Sequence, residues 1–233
     1  LQDEKQVSFD DYVETYKSEI QNSIGFIGQD VDFFIELKAK LLLKLAGKQF
    51  GDPGKLKALD IGSGIGLVDK ILKHKIKDLH GVDIEEGVIE KAKINNPEVT
   101  YNKYDGMKLP FRDNMFDLAF AINVIHHVPP GEWENFSKEM HRVLKPGGIA
   151  VVFEHNPYNP LTRKVVRDCE FDRDAVLLKH SKIKDLFKSA GLQTIEDKYI
   201  IFFPFKSGIF RGIETVLGWL PLGAQQYVAG LKV

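Results

Sequence analysis

The sequence is poor in cysteine, in long apolar runs and in any surplus of charge, and each shortage excludes something. A single cysteine, Cys169, rules out an internal disulfide and a cysteine-built zinc site, and it fits a reducing compartment. The longest apolar runs, 118–122 (LAFAI) and 199–203 (YIIFF), fall far short of the roughly 20 residues that a membrane-spanning helix needs. Lys and Arg number 32 against 33 Asp and Glu, a formal net charge of −1, so the chain lacks the global basic field of a nucleic-acid binder. There is no internal repeat, no low-complexity tract and no recognisable secretory leader, and the expected location is cytoplasmic. What is present is 43% hydrophobic residues spread over 233 positions, enough for one substantial domain that needs no covalent staple. Whether that domain is a monomer or a homodimer is left open by the sequence.

Charge is unevenly placed. Residues 1–36 hold nine acids against Lys5 and Lys17. This pattern reads as a solvated helical face, or alternatively as an acidic lid over a cationic ligand. Residues 1–50 are therefore taken as an N-terminal helical lid and 51–233 as the main domain. Phe34, Leu37, Leu41 and Leu45 recur at helical spacing and predict a helix over 30–48, ended by Gly47. After a GDPG turn at 51–54, strands over 55–61, 78–84, 98–104, 116–122 and 149–155 alternate with helices over 66–74, 86–95 and 131–144. A helix at 182–190 and strands at 194–205 and 225–233 complete the pattern. Such alternation predicts an α/β fold: a doubly wound, seven-stranded, mostly parallel sheet whose last strand is antiparallel.

The strongest chemical signal is ALDIGSGIG at 58–66. A strand runs into Asp60, and the turn carrying Gly62, Ser63, Gly64 and Gly66 lets a backbone approach a ligand closely. Ligands of open α/β sheets bind beyond the carboxyl ends of the strands. The dinucleotide pattern G-x-G-x-x-G/A fails in both frames, because its last position falls on Leu67 or Asp69. A pyrophosphate would also be repelled by Asp60. A ligand with a sulfonium and an ammonium would be attracted by it, which favours S-adenosylmethionine over a nicotinamide cofactor. Asp83, with Ile84 beside it, ends the second strand and suits two ribose hydroxyls. Asp105 follows the third strand and suits an adenine amine, with Gly106 and Met107 offering backbone to the ring edge.

Together ALDIGSGIG, VDI (82–84), DGMKLPFRDNMFD (105–117), AINVIHHVP (121–129) and HRVLKPGGIAVV (141–152) resemble the class I S-adenosylmethionine-dependent methyltransferases, in the branch of the ubiquinone and menaquinone enzymes. The resemblance covers about residues 56–153. It implies a Rossmann-like fold, S-adenosylmethionine as donor, S-adenosylhomocysteine as product, and donor contacts near Asp60, Gly62, Gly64, Asp83, Asp105 and Asn123. It does not fix the acceptor. A small molecule is expected, with lipid-like, quinone and sugar acceptors all open. Two other readings stand beside it: a nicotinamide-dependent oxidoreductase, and a non-catalytic domain that binds the donor.

Candidate bases are His126, His127 and His155, since histidine exchanges a proton near neutral pH. Packing or capping is the competing reading for each. Only one of the adjacent pair His126 and His127 is expected to face the pocket. No metal is expected, because adjacent side chains point apart on a strand or a helix. NPYNP (156–160) reads as turns opening a long connection, 156–180, which is expected to cover the acceptor side. Within it, Arg163 or Arg167 would suit an anionic acceptor unless the charges pair with one another. The apolar stretch 199–222, with Phe202, Phe203, Phe205, Phe210 and Trp219, suits core packing. An apolar acceptor pocket is the other option, as is a membrane-surface contact with Lys206 and Arg211 nearby. Tyr12 and Tyr16 belong to the expected lid, and Cys169 reads as an inert thiol.

Overall fold

The computed structural model describes residues 15–25, 30–203, 214 and 216–233, without the side chain of Tyr16. Tyr12, Phe205, Lys206, Phe210 and Arg211 lie outside these residues. Seven strands form one sheet in the order β3-β2-β1-β4-β5-β7-β6. They are β1 (Lys57–Ile61), β2 (Asp78–Asp83), β3 (Thr100–Lys103), β4 (Phe116–Ile122), β5 (Leu144–His155), β6 (Leu192–Ile200) and β7 (Gln225–Lys232). β1 pairs in parallel with β2 and β4, and β7 runs antiparallel between β5 and β6. The expected doubly wound sheet with an antiparallel last strand is therefore the fold, and its strand order reverses between β1 and β4, where such sheets hold their ligands.

Helices cover both faces. α2 (Val31–Phe50), α3 (Asp69–Leu72) and α4 (Glu86–Asn95) lie on one side, with Leu42, Leu45, Leu72 and Ile89 packed against Leu118, Phe120 and Phe153. α5 (Trp133–Val143) and α7 (His180–Ser189) cover the other, where Phe136, Met140, Ile183 and Phe187 meet Ala119, Ala121, Ala150 and Val152. Both sets of strand residues are buried, which explains why β4 and the second half of β5 are almost wholly apolar. α1 (Tyr16–Ile24) lies against α2 and α6 (Pro160–Asp168).

Several boundaries differ from expectation for physical reasons. α2 runs through Gly47 and ends at Gly51, whose φ of 81° is open to glycine and breaks the helix. The predicted helix at 66–74 shrinks to four residues, because Gly66 holds φ at 75° and delays its start. β6 stops at Ile200, before the expected 205, because Ile201 adopts φ 63°. The 156–180 connection is largely ordered by α6. Asn159 caps that helix by accepting from the Thr162 N–H at 3.0 Å, and Pro160 takes the first helical position. Asn156 and Asn159 donate to the carbonyls of Gly223 (2.7 Å) and Leu222 (2.6 Å), so the NPYNP segment ties α6 to the lead-in of β7. Trp219, read as core, is 74% exposed.

Candidate active site

A cavity of about 710 Å³ opens over the carboxyl ends of β1, β2, β4 and β5. Its first half is made by the turn after β1. Asp60 is buried at the end of that strand, and the chain then turns through Gly62 (φ 74°) and Gly64 (φ 53°). A Cβ on Gly62 would stand 2.5 Å from the Val124 side chain, so the turn can close only with glycine there. The carboxylate of Asp83 accepts from the Gly64 N–H at 2.9 Å and the Ile84 N–H at 2.8 Å, fixing the turn to the end of β2. Asp105 accepts from the Met107 and Lys108 N–H groups, each at 2.8 Å, and these bonds hold its carboxyl below the usual range. Ile84 and Met107 stand 41% and 47% exposed on the cavity wall, which gives this half two apolar flanks. Asn123 follows β4 with φ 56°, a left-handed conformation that asparagine adopts more readily than most residues.

Burial raises the Asp60 carboxyl far above its ordinary range, helped by the charge of Asp69, by a hydrogen bond to it and by the charge of Asp83. Asp69 is also raised by burial, to about 6, while hydrogen bonds from Tyr101 and Asp60 work against the rise. The ligand-free pair therefore keeps a proton between two carboxylates at neutral pH. Asp60 Oδ1 and Asn123 Oδ1 are buried acceptors without a hydrogen-bond partner.

The second half of the cavity is built by histidines and one aspartate. His126 and His127 sit on a 3₁₀ turn, Ile125–His127, that follows β4. Asp172 ends another, Glu170–Asp172. His126 Nε2 and His127 Nε2 each lie 3.3 Å from Asp172 Oδ1, and His155 Nε2 lies 3.9 Å from Asp172 Oδ2. Behind them Glu154 accepts from His126 Nδ1 at 2.5 Å and from the Ile125 N–H at 2.8 Å. Burial opposes charge on His126, but Glu154 and Asp172 outweigh it and raise its pKa to about 10. Burial pushes His155 down to about 4 against the pull of Asp172. Burial also disfavours ionisation of Asp172, yet the hydrogen bonds of His126 and His127 hold its carboxyl far below the ordinary range. Lys38, from α2, reaches the same cavity; burial lowers it to about 8, with Glu154 opposing.

Residues 59–152 match the family described as a methyltransferase domain. The chain is 30% identical over 164 residues to a sterol 24-C-methyltransferase of Aspergillus fumigatus, across 64% of this chain and 43% of that protein. It is 28% identical over 191 residues to the 2-methyl-6-phytyl-1,4-hydroquinone methyltransferase of Synechocystis sp., across 75% of this chain and 59% of that protein. The chain thus spans about half the length of these curated relatives. A solved structure from Thermotoga maritima, described as a SAM-dependent methyltransferase and possible histamine N-methyltransferase, aligns with TM-score 0.68 over 97% of this chain and 98% of its own. At 24% identity that likeness speaks for the fold. Residues 59–152 carry the methyltransferase domain, on the fold of solved S-adenosylmethionine-dependent methyltransferases.

The methyltransferase assignment sets aside the nicotinamide alternative, and S-adenosylmethionine is the cofactor its family implies. The residues fit that group. An ammonium is rich in donors and cationic, which suits the orphaned oxygens of Asp60 and Asn123. Of the residues singled out from sequence, Asp60, Gly62, Ser63, Gly64, Asp83, Ile84, Asp105, Gly106, Met107, Asn123, His127 and His155 all line the cavity. Gly66 and His126 do not. A Cβ on Gly66 would stand 2.4 Å from Asn96 Nδ2 and 2.6 Å from the Tyr101 hydroxyl, so this glycine serves packing behind the turn. His126 is buried between Glu154 and Asp172 and held protonated, which disqualifies it as a base. The expectation that the two adjacent histidines point apart is also corrected. On the 3₁₀ turn their ring centroids are 4.1 Å apart and both rings meet Asp172.

Arg163 and Arg167 lie off the cavity wall, and Arg167 pairs with Asp168 at 3.1 Å. Cys169 is buried on that wall with its thiol pushed up to about 11 by burial, an unreactive state. Sequence reading missed Lys38, Glu154 and Asp172. Asp172 was one acid among several in a charged stretch, and Lys38 occupied an ordinary helix position. Among the described residues no helix is long and apolar enough to cross a membrane.

Proposed function

We propose that this domain transfers the methyl group of S-adenosylmethionine to a small, largely apolar acceptor bearing a hydroxyl or phenol. The observation that supports the reading is the single cavity, with the acids of β1 and β2 at one end and His127, His155 and Asp172 at the other. Between them its wall includes Ile24, Phe34, Leu161, Val165, Phe171 and Phe202, apolar side chains suited to an acceptor with a hydrocarbon body. The relatives named above act, by their names, on a sterol and on a phytylated hydroquinone.

The cofactor supplies a methyl group on a sulfonium, which leaves without acid assistance. The chain's own residues do the rest. Asp83 would accept from the ribose hydroxyls, Asp105 and the Gly106–Met107 backbone would meet the adenine edge, and Asp60 and Asn123 would receive the ammonium. Ile84 and Met107 flank the ring. The apolar wall excludes water and aligns the acceptor with the methyl group. His155, kept neutral by burial, accepts the acceptor's proton, and His127 stands beside it. α1, α2 and α6 close over the acceptor end.

The reading is tested by incubating the protein with methyl-labelled S-adenosylmethionine and a panel of acceptors: hydroxylated isoprenoids, prenylated hydroquinones, and sugars. Transfer to the first two classes, lost in His155→Ala while S-adenosylhomocysteine still binds, is the expected result. Transfer to sugars alone overturns the apolar assignment. Tight donor binding without transfer to any acceptor points to the non-catalytic alternative.

A further inference from the structure

His126, His127 and Asp172 converge more tightly than proton transfer requires. One ligand atom from each lies within 4.8 Å of the others, and Asp172 Oδ1 stands 3.3 Å from both histidine Nε2 atoms. A metal ion bound tetrahedrally at about 2.0–2.1 Å spaces its ligand atoms about 3.3 Å apart. The two observed separations are therefore those of ligands around one ion.

The support behind the cluster is of the kind metal sites use. A metal-ligating histidine donates its second ring N–H to a carboxylate, which fixes the tautomer and aims the other nitrogen. Glu154 does this for His126: it takes Nδ1 at 2.5 Å and leaves Nε2 aimed at Asp172, where a metal ion would displace the proton that the ring now directs at that carboxylate. The same carboxylate accepts from the Ile125 N–H at 2.8 Å and the Val124 N–H at 3.2 Å, so the 3₁₀ turn is pinned with the ring. The segment after Asp172 is tied to that turn, because the Val176 N–H donates to the His126 carbonyl at 2.8 Å. His155 adds a third imidazole at 3.9 Å from the other Asp172 oxygen, and its Nδ1 is buried without a partner.

We propose that His126, His127 and Asp172 bind a divalent first-row transition-metal ion, with His155 adjacent and an open coordination position facing the cavity. Two imidazoles and one carboxylate suit borderline ions such as zinc, iron(II) or cobalt(II), whereas magnesium and calcium take oxygen ligands. The role, though not the binding, rests on the methyl-transfer reading. The open position takes the hydroxyl or phenol oxygen of the acceptor and polarises it beside the donor. Glu154 is a positioning residue acting through His126.

The test uses the full chain, stripped with a chelator and titrated with cobalt(II) while visible ligand-field absorption is followed. The expected result is a saturable one-to-one transition that zinc reverses. Asp172→Asn and His127→Ala should abolish it, Glu154→Gln should weaken affinity by about 10- to 100-fold, and His141→Ala, remote from the cluster, should leave it unchanged. A second readout guards against variants that fail to fold: zinc should raise the melting temperature of the wild-type chain in a concentration-dependent way. Absence of the cobalt transition in wild type overturns the site. So does a transition that survives both Asp172→Asn and His127→Ala, or a melting temperature indifferent to zinc. S-adenosylhomocysteine binding to the stripped protein keeps the two readings apart. If it persists while metal binding fails, the donor site stands and the metal site falls.

Discussion

The two ends of the cavity are built by different means. At the donor end, single carboxylates are fixed by backbone amides at consecutive strand ends, none more than 19 residues away. Asp83 grips the Gly64 and Ile84 amides, and Asp105 grips those of Met107 and Lys108. At the acceptor end, titratable side chains from three separate segments hold one another, and Asp172 is 46 residues from His126. The first arrangement is a property of local chain geometry. The second exists only once α6 and the following turn have docked. On the proposed reading, the cofactor end rests on the sheet itself, and the acceptor end rests on tertiary contacts that can change without disturbing it.

That contrast can be broken experimentally, and the largest effect belongs to Asp83. Replacing it with alanine removes both the turn's anchor and the proposed ribose acceptor. Calorimetry should show donor affinity falling by about 100-fold or more, since bonds to a charged group are worth about 1.5–3 kcal/mol each. Unchanged affinity would mean that the donor lies elsewhere. Next is Gly62→Ala, which forces a Cβ against Val124 at a positive φ. It should cost about 1–3 kcal/mol of stability together with donor affinity. Adding Val124→Ala should restore part of both in a melting curve and a titration; no restoration would show that backbone strain alone decides.

A third prediction concerns pH. The folded state holds extra protons on the Asp60–Asp69 pair, so this pair's contribution to stability falls as pH rises from about 4, through about 6 for Asp69 and onward for the more strongly raised Asp60. Asp60→Asn keeps a donor towards Asp69 and removes the penalty. The variant should equal wild type near pH 4 and exceed it by about 1–3 kcal/mol above pH 7, while losing donor affinity. Parallel stability-versus-pH curves for the two proteins would refute the shared proton. At the acceptor end, Lys38→Met should leave donor affinity within about twofold and depress methyl transfer, because the donor acids do not touch Lys38; effects on wholly separate sites are usually independent. The smallest effect is expected for Arg163→Ala and Arg167→Ala, exposed and off the cavity wall, which should stay within about 0.5 kcal/mol of wild-type stability.

The same contrast explains how much the sequence disclosed. Strand β4 was legible to the residue because both of its faces are buried and its run is uninterrupted. That Asp60, Asp83 and Asp105 share one cavity was legible because each lies at or just past a strand's carboxyl end. α6 was not, since Asn159-Pro160 reads as a turn when seen alone and as a cap with its first helical residue only once Thr162 is seen to fold back. The end of α2 slipped from Gly51 to Gly47 because two glycines compete and only the φ angle separates them. The convergence of His126 with His127 was hidden by the assumption of a regular element, where a 3₁₀ turn brings both rings to one side. Asp172 and Lys38 carry no local signal, since what singles them out is burial beside partners far away in the chain.

The side-chain amides after β5 have a mechanical consequence. Asn156 and Asn159 bond to the carbonyls of Gly223 and Leu222, and Thr162 donates to that of Ala224 at 2.7 Å. α6 is thereby riveted to the strand entering the sheet beside β5, and the two must swing together or stay put. A wall fastened to the frame makes a poor door.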